Sequence, residues 1–261
     1  VCWTAVTGDF LLPANTVNDG IARLVGELRE SAHTVVLTGA GVSAESGVPT
    51  FRDTQTGFWA NYRPEDLATP EAFAHDPEMV WRWYAWRREL LANVQPNPGH
   101  SALAQLQARL PRFTLITQNV DGLHQRAGSR NVIEYHGNIT RTICSAKSCP
   151  GLWELGDERE PPECPLCGEL LRPDVVWFGE AIPAAAMQDS AKAVASCDLF
   201  VSVGTAAVVY PAAGMAAQAG AAGAMIAEIN PQATPLSSAA DIVIGGPSGE
   251  ILPAVLAALS R

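Results

Sequence analysis

The sequence predicts an α/β fold: a Rossmann-like parallel sheet with a smaller module made of a helical insertion and a cysteine-bearing insertion. Three observations carry this. Five short apolar runs, "HTVVLTGAG", "FTLITQNVD", "CDLFVSVGTA", "AMIAEIN" and "DIVIGG", each end in glycine or polar residues, the pattern of buried strands with turns at their carboxyl ends. Helical stretches stand before or between several of these runs, which implies a parallel sheet. Two segments break the rhythm: residues 51–97 are aromatic-rich and mostly helical, and residues 141–171 hold cysteines, prolines and charges. The larger domain is therefore expected over 17–50, 98–140 and 172–261.

Taken in order, residues 17–31 read as an amphipathic helix with Ile21, Leu24, Val25 and Leu28 on one face. Alanine-rich helices are expected over 184–196 and 211–223. The run "RPDVVWFGE" (172–180) reads either as an edge strand able to pair with an extended peptide or as an ordinary core strand.

The 261 residues, 48% hydrophobic and 17% charged, suffice for a sizeable core. The formal net charge of −10 argues against a broad nucleic-acid or anionic-membrane surface. No apolar run has membrane-spanning length. No basic stretch precedes an apolar one near the N-terminus, so a cytoplasmic protein is expected. The bias to arginine and alanine fits a GC-rich, bacterial genome.

Five motifs carry chemistry. In "TGAGVSAESGVPTFRD", Gly39 and Gly41 permit a tight turn whose N–H groups approach a phosphate; a ligand-free strand-to-helix turn has the same look. In "TQNVDGLHQRAG", Gln118, Asn119 and Asp121 present amides and a carboxylate at the sheet's carboxyl edge; Asn119 or Asp121 also suits a helix cap. In "IEYHGN", His136 stands where a loop base would, although His33, His75, His100 and His124 show how little one histidine proves. Cys144, Cys149, Cys164 and Cys167 make a Cys-x4-Cys…Cys-x2-Cys set suited to a closed, structural zinc site. The fifth is the 172–180 run.

In this order the motifs resemble those of the sirtuins, NAD-dependent protein deacylases, from about His33 to Gly249. The resemblance implies that Gly39, Ala40 and Gly41 form the turn at the NAD phosphates and that Phe51 and Arg52 belong to a cofactor-binding loop. Gln118 matches a ribose contact, Asn119, Val120 and Asp121 the nicotinamide pocket, and His136 the catalytic base, with Asn119 beside it in the reaction. Gly204, Thr205 and Ala206 match a further phosphate and ribose site, Asn230 an adenosine-ribose contact, and Ser248 the adenine end. Val176, Phe178, Gly179 and Glu180 match the segment that pairs with the substrate backbone. NAD is consumed, giving nicotinamide, O-acyl-ADP-ribose and free lysine. Two features depart from the common pattern. Ala206 replaces a serine whose hydroxyl would be worth about 0.5–1.5 kcal/mol if it bonds NAD, and the first cysteine pair is wider than the usual Cys-x2-Cys.

In "VWRWYAWRRELL", Tyr84 and Arg87 lie one helical turn apart. The pair resembles the Tyr-x-x-Arg of sirtuins that remove succinyl, malonyl and glutaryl groups, which implies that Arg87 points into an acyl pocket while Arg82 and Arg88 face solvent. The expected function is thus removal of acidic acyl groups from protein or peptide lysines. The alternatives are a plain deacetylase, a protein ADP-ribosyltransferase, a non-catalytic zinc-ribbon module, and, for the helix, an aromatic core with arginines at its edge.

Overall fold

Short β-branched runs form the strands, and Pro preceded by a capping residue starts three of the helices: Thr69-Pro70, Asp76-Pro77 and Asn97-Pro98. The computed structural model describes residues 14–49, 62–146, 148–154 and 160–261. In chain order, α1 (Ala14–Glu30), β1 (Thr34–Thr38) and α2 (Ala40–Ala44) open the larger domain. The helical insertion holds α3 (Pro64–Leu67), α4 (Pro70–His75) and α5 (Pro77–Ala92). The chain returns through α6 (Pro98–Arg109), β2 (Phe113–Thr117), α7 (Leu123–Arg126) and β3 (Ile133–Glu134). β4 (Gly137–Cys144), β5 (Leu152–Glu154) and β6 (Leu171–Val175) follow. α8 (Ala184–Ala195), β7 (Leu199–Val203), α9 (Met215–Ala221), β8 (Met225–Asn230), β9 (Ile242–Gly245) and α10 (Ser248–Leu259) complete it.

Six strands form a parallel sheet in the order β3-β2-β1-β7-β8-β9. Alternation along β1 sends Val36 to one face and Val35 and Leu37 to the other. The first face packs against α1, α6 and α10 through Leu24, Leu103 and Leu252; the second packs against α8 and α9 through Val194 and Met215. The strand order reverses between β1 and β7, so the carboxyl ends of these two strands flank the crevice where such sheets bind ligands.

β4, β5 and β6 form a separate antiparallel sheet, ordered β5-β4-β6. This corrects the expected boundaries: the small sheet claims residues 137–140 and 172–175, which the sequence reading gave to the larger domain. It also corrects the strand expected over 172–180. Pairing ends at Val175, and Val176 to Glu180 form a turn with Gly179 at φ 85°. Pro173 is tolerated because β6 is an edge strand.

A third cluster joins the insertion to the sheet domain: Phe73, Val80, Trp83, Tyr84 and Leu91 pack with Val120, Ile139, Val175 and Trp177. α5 thus buries one aromatic face against the strand ends. Arg82 is exposed and pairs with Glu78 at 2.8 Å. Arg88, expected in solvent, is half-buried, its guanidinium 5.1 Å from the Trp81 ring centre. An aromatic face attracts the cation and covers its apolar stem, which outweighs full hydration here.

Candidate active site

The crevice at the strand-order reversal is built from backbone first. The Gly39 N–H donates to the Val203 carbonyl (3.1 Å) and the Gly41 N–H to the Gly204 carbonyl (2.8 Å). A Cβ on Gly41 would lie 2.7 Å from that Gly204 oxygen, so only glycine lets the two turns touch. The hydrogens of these two N–H groups hold β1 to β7, and in the turn expected at the phosphates Ala40, at the start of α2, is the residue whose N–H has no partner among the described residues.

Side chains from three strand ends then link across the edge. Gln118 Nε2 donates to Thr205 Oγ1 (3.1 Å), and Asn230 Nδ2 donates to the Thr205 carbonyl (2.9 Å). Gly204 (φ 58°) and Ala207 (φ 53°) take left-handed conformations around this turn, in which Ala206 is half-buried. Ser248, expected near the adenine end, is buried, and its hydroxyl donates to Glu45 (2.7 Å), which ties α10 to the end of α2.

Under the turn lies a buried polar network that the sequence reading missed. Asp121 accepts from Ser43 Oγ (2.7 Å) and from the Leu123 N–H (2.9 Å), while Asn119 Nδ2 donates to the Gly39 carbonyl and to Ser43 Oγ, both at 3.0 Å. Gly122, not Asn119 or Asp121, is the N-cap of α7, but Asp121 takes the first N–H of that helix from one residue earlier and simultaneously fixes Ser43. His100 Nδ1 accepts from the Asn97 N–H, so its Nε2 carries the proton and faces Ser43 Oγ at 3.4 Å. Behind it, His124 Nε2 meets Thr38 Oγ1 at 2.9 Å; burial pushes His124 down to about 3. Ser43 lies inside the quoted glycine motif, and His100 lies at the third position of a helix begun by Asn97-Pro98; those were the available signals.

His136 stands in the turn between β3 and β4, half-buried, with Nδ1 3.1 Å from the Gln118 carbonyl. A carbonyl only accepts, so Nδ1 carries the hydrogen and Nε2 keeps its lone pair. Burial lowers the imidazole's pKa, opposed in part by the bond to Gln118, so the neutral ring persists below the usual histidine range. A neutral imidazole, held by one nitrogen and open at the other, is the geometry of a general base.

The Sir2 family model matches residues 39–211. A chain from Pyrobaculum aerophilum named NAD-dependent protein deacylase 2 is 50% identical over 90% of this chain and 94% of its own. The chain belongs to the Sir2 family. A solved Sir2 homolog–NAD complex is 46% identical, covers 92% of this chain and 93% of that one, and superposes with a TM-score of 0.85. A Sir2 structure bound to a myristoylated histone peptide is 33% identical over 94% of this chain and 98% of that one, with a TM-score of 0.75.

In this sirtuin chain the segments expected to hold the acylated substrate meet at α5. Tyr84 is wholly buried, and its hydroxyl accepts from Trp177 Nε1 (3.0 Å). The Arg87 guanidinium lies 5.0 Å from the Trp83 ring centre. Burial lowers the Arg87 pKa, and Tyr84 and Asp121 oppose this, so the guanidinium lies within electrostatic reach of the Asn119–Asp121 turn. Val176 and Phe178 are not in a strand: the Val176 N–H donates to the His136 carbonyl and the Phe178 N–H to the Ala68 carbonyl, both at 2.9 Å. Phe178 is exposed, as are Val208, Val209 and Tyr210 beyond the Thr205 turn. The Glu180 carboxylate is bound by Arg172 (2.6 and 2.9 Å) and by the Trp177 N–H. Phe51 and Arg52 lie outside the described residues.

The cysteine set also folds together. The sulfurs of Cys144, Cys149, Cys164 and Cys167 all lie within 4.8 Å of one another, with 3.4 Å between Cys144 and Cys167 and 3.7 Å between Cys149 and Cys164. Tetrahedral zinc with Zn–S bonds of about 2.3 Å implies sulfur separations near 3.8 Å, so the four residues fit the ion. The wider first pair is accommodated by a turn in which the Cys149 N–H donates to the Ala146 carbonyl (3.0 Å). No open coordination position is needed, and the ion's place is structural.

Among the described residues, no helix is long and apolar enough to cross a membrane.

Proposed function

We propose that this sirtuin is an NAD-dependent protein-lysine deacylase that prefers acidic acyl groups: succinyl, malonyl or glutaryl. The observation that carries the acyl preference is Tyr84 and Arg87, one turn apart on α5, with Tyr84 in the same apolar cluster as Val120 and Arg87 within electrostatic reach of Asp121. A guanidinium grips a carboxylate in two hydrogen bonds, and a phenol adds one more. Arg172, the other guanidinium near Tyr84, is committed to Glu180 and cannot serve this end.

NAD is assigned to the crevice between β1 and β7. The Ala40 N–H and the Gly204–Ala206 turn face its phosphates, Gln118 and Asn230 its riboses, and the Asn119–Asp121 turn its nicotinamide. Ser248 bounds the adenine end through its backbone. The acyl-lysine carbonyl oxygen displaces nicotinamide from the ribose C1′, a step that asks the protein mainly for orientation and exclusion of water. His136 Nε2 then takes the proton of a ribose hydroxyl, whose oxygen attacks the acyl carbon and opens its C=N bond; water adds at the same carbon, the lysine amine leaves with a proton, and O-acyl-ADP-ribose remains. Val176, Phe178 and Gly179 are assigned to the substrate's backbone side, and Glu180 acts there only by fixing the turn.

Arg87→Met tests this reading. It keeps the aliphatic bulk and removes the charge. Charge-assisted hydrogen bonds are worth about 1.5–3 kcal/mol, or about ten- to a hundredfold. Desuccinylation should fall by that factor, mostly through KM, because the carboxylate is bound alike in ground and transition states. Deacetylation should persist or improve. A parallel fall in both activities would return Arg87 to an edge-of-core arginine.

A further inference from the structure

We propose that Trp177 is a positioning residue for acyl recognition: its indole N–H occupies a lone pair of the Tyr84 hydroxyl and thereby turns the phenol O–H toward the acyl carboxylate. This rests on the acidic-acyl reading above and adds to it a residue that no sequence motif singled out.

The geometry fixes the direction of the bond. An indole nitrogen only donates, so at 3.0 Å the Tyr84 oxygen must accept. Both groups are buried, so water does not compete for the pair. The phenol then has its own hydrogen left to donate, and no acceptor for it lies among the described residues. Burial pushes Tyr84 up to about 12, which keeps that hydrogen in place at neutral pH.

The indole is held by two further neighbours. The Arg172 guanidinium lies 3.3 Å above the ring centre, and the Phe73 ring lies 5.2 Å away. Arg172 is locked in turn by Glu180 and by the Val175 carbonyl at 2.6 Å. Glu180 also accepts from the Trp177 backbone N–H at 2.9 Å, so the 177–180 turn closes on its own ion pair. A ring so clamped presents its N–H in one direction only, and a preset donor array loses less freedom when substrate binds.

The test compares succinyl and acetyl forms of one peptide with the wild type, Tyr84→Phe, Trp177→Phe and the double variant. Trp177→Phe keeps an aromatic ring beneath Arg172 and removes the N–H. It should raise the succinyl KM relative to the acetyl KM by about three- to tenfold, the scale of one neutral hydrogen bond. The double variant should be no worse than Tyr84→Phe alone, because both act through one phenol hydrogen. In the unmutated protein the Trp177 indole N–H resonance should shift with succinyl-peptide and not with acetyl-peptide. That readout stands even if Trp177→Phe does not fold, and an unmoved resonance overturns the proposal. Equal losses on both acyl groups, or an unchanged succinyl KM while Tyr84→Phe loses selectivity, also overturn it and leave the acidic-acyl reading intact. A wild type with no succinyl preference removes both.

Discussion

His136 gains its direction from one hydrogen bond: the Gln118 carbonyl claims the Nδ1 hydrogen, and the lone pair on Nε2 is what remains to do chemistry. Burial lowers its pKa, so protonation costs the base only under acid conditions. The acid limb of kcat/KM should therefore have its midpoint below 6.5, and His136→Ala should abolish turnover while leaving the melting temperature near wild type; kinetics across pH and a thermal melt check both. Near-normal turnover by that variant would remove it as the base. At this scale the sequence showed which residues gather and not what each one bonds. Gly39 and Gly41 were legible as a turn; that their N–H groups serve β7 depends on a strand more than 150 residues away. The side-chain partners of Ser248 and Glu180 were not legible, because pattern does not reveal that Glu45 and Arg172 reach them. His100 and Ser43 escaped notice because their partners come from distant elements, among them Asp121 on the turn after β2.

β1 and β7 were the most legible strands because every residue of each is buried, leaving continuous apolar runs that end in glycine. The helices of the insertion were legible through their Pro starts and aromatic face. The small antiparallel sheet was not. β4 (Gly137–Cys144) mixes buried and exposed residues, its register with β6 shifts between Asn138 and Thr142, and β6 carries a proline. What holds this sheet together is partly the cysteine cluster at the far end of β4. Leu171 is the main apolar residue buried beside it, with Ala146 and Trp153 packed less deeply, too little for an independent core. One zinc per chain is expected by metal analysis, and far less than one equivalent in carefully purified protein would count against the assignment. Chelation should melt the β4–β6 sheet first, seen as amide exchange rising there before the parallel sheet. Since β4 begins one residue after His136, activity should be lost with it.

The whole molecule is a parallel sheet whose strand-order reversal sets the crevice, with the helical insertion and small sheet arranged beside it. The parallel α/β class was legible from the alternation of elements; the strand order and the pairing of the small sheet were not, because both depend on contacts between distant segments. Burial lowers the pKa values of His33, His100 and His124, the last to about 3. The unfolded chain binds these protons more readily than the folded one, so stability is fully present above about 6.5 and is lost as pH falls toward the folded values. His124 alone should remove about 2 kcal/mol between pH 6.5 and 5. Urea unfolding across that range should show it, and His124→Gln should flatten the slope; an unchanged slope would assign the acid sensitivity elsewhere. The acyl group that the molecule removes is decided by its products. Mass spectrometry of NAD-dependent products, using acetyl, succinyl, malonyl and glutaryl forms of one lysine peptide, tests the preference most directly. Free lysine peptide, nicotinamide and O-acyl-ADP-ribose are expected, with the acidic acyl forms consumed at higher kcat/KM than the acetyl form; acetyl turnover that matches or exceeds all three would overturn the acidic-acyl preference.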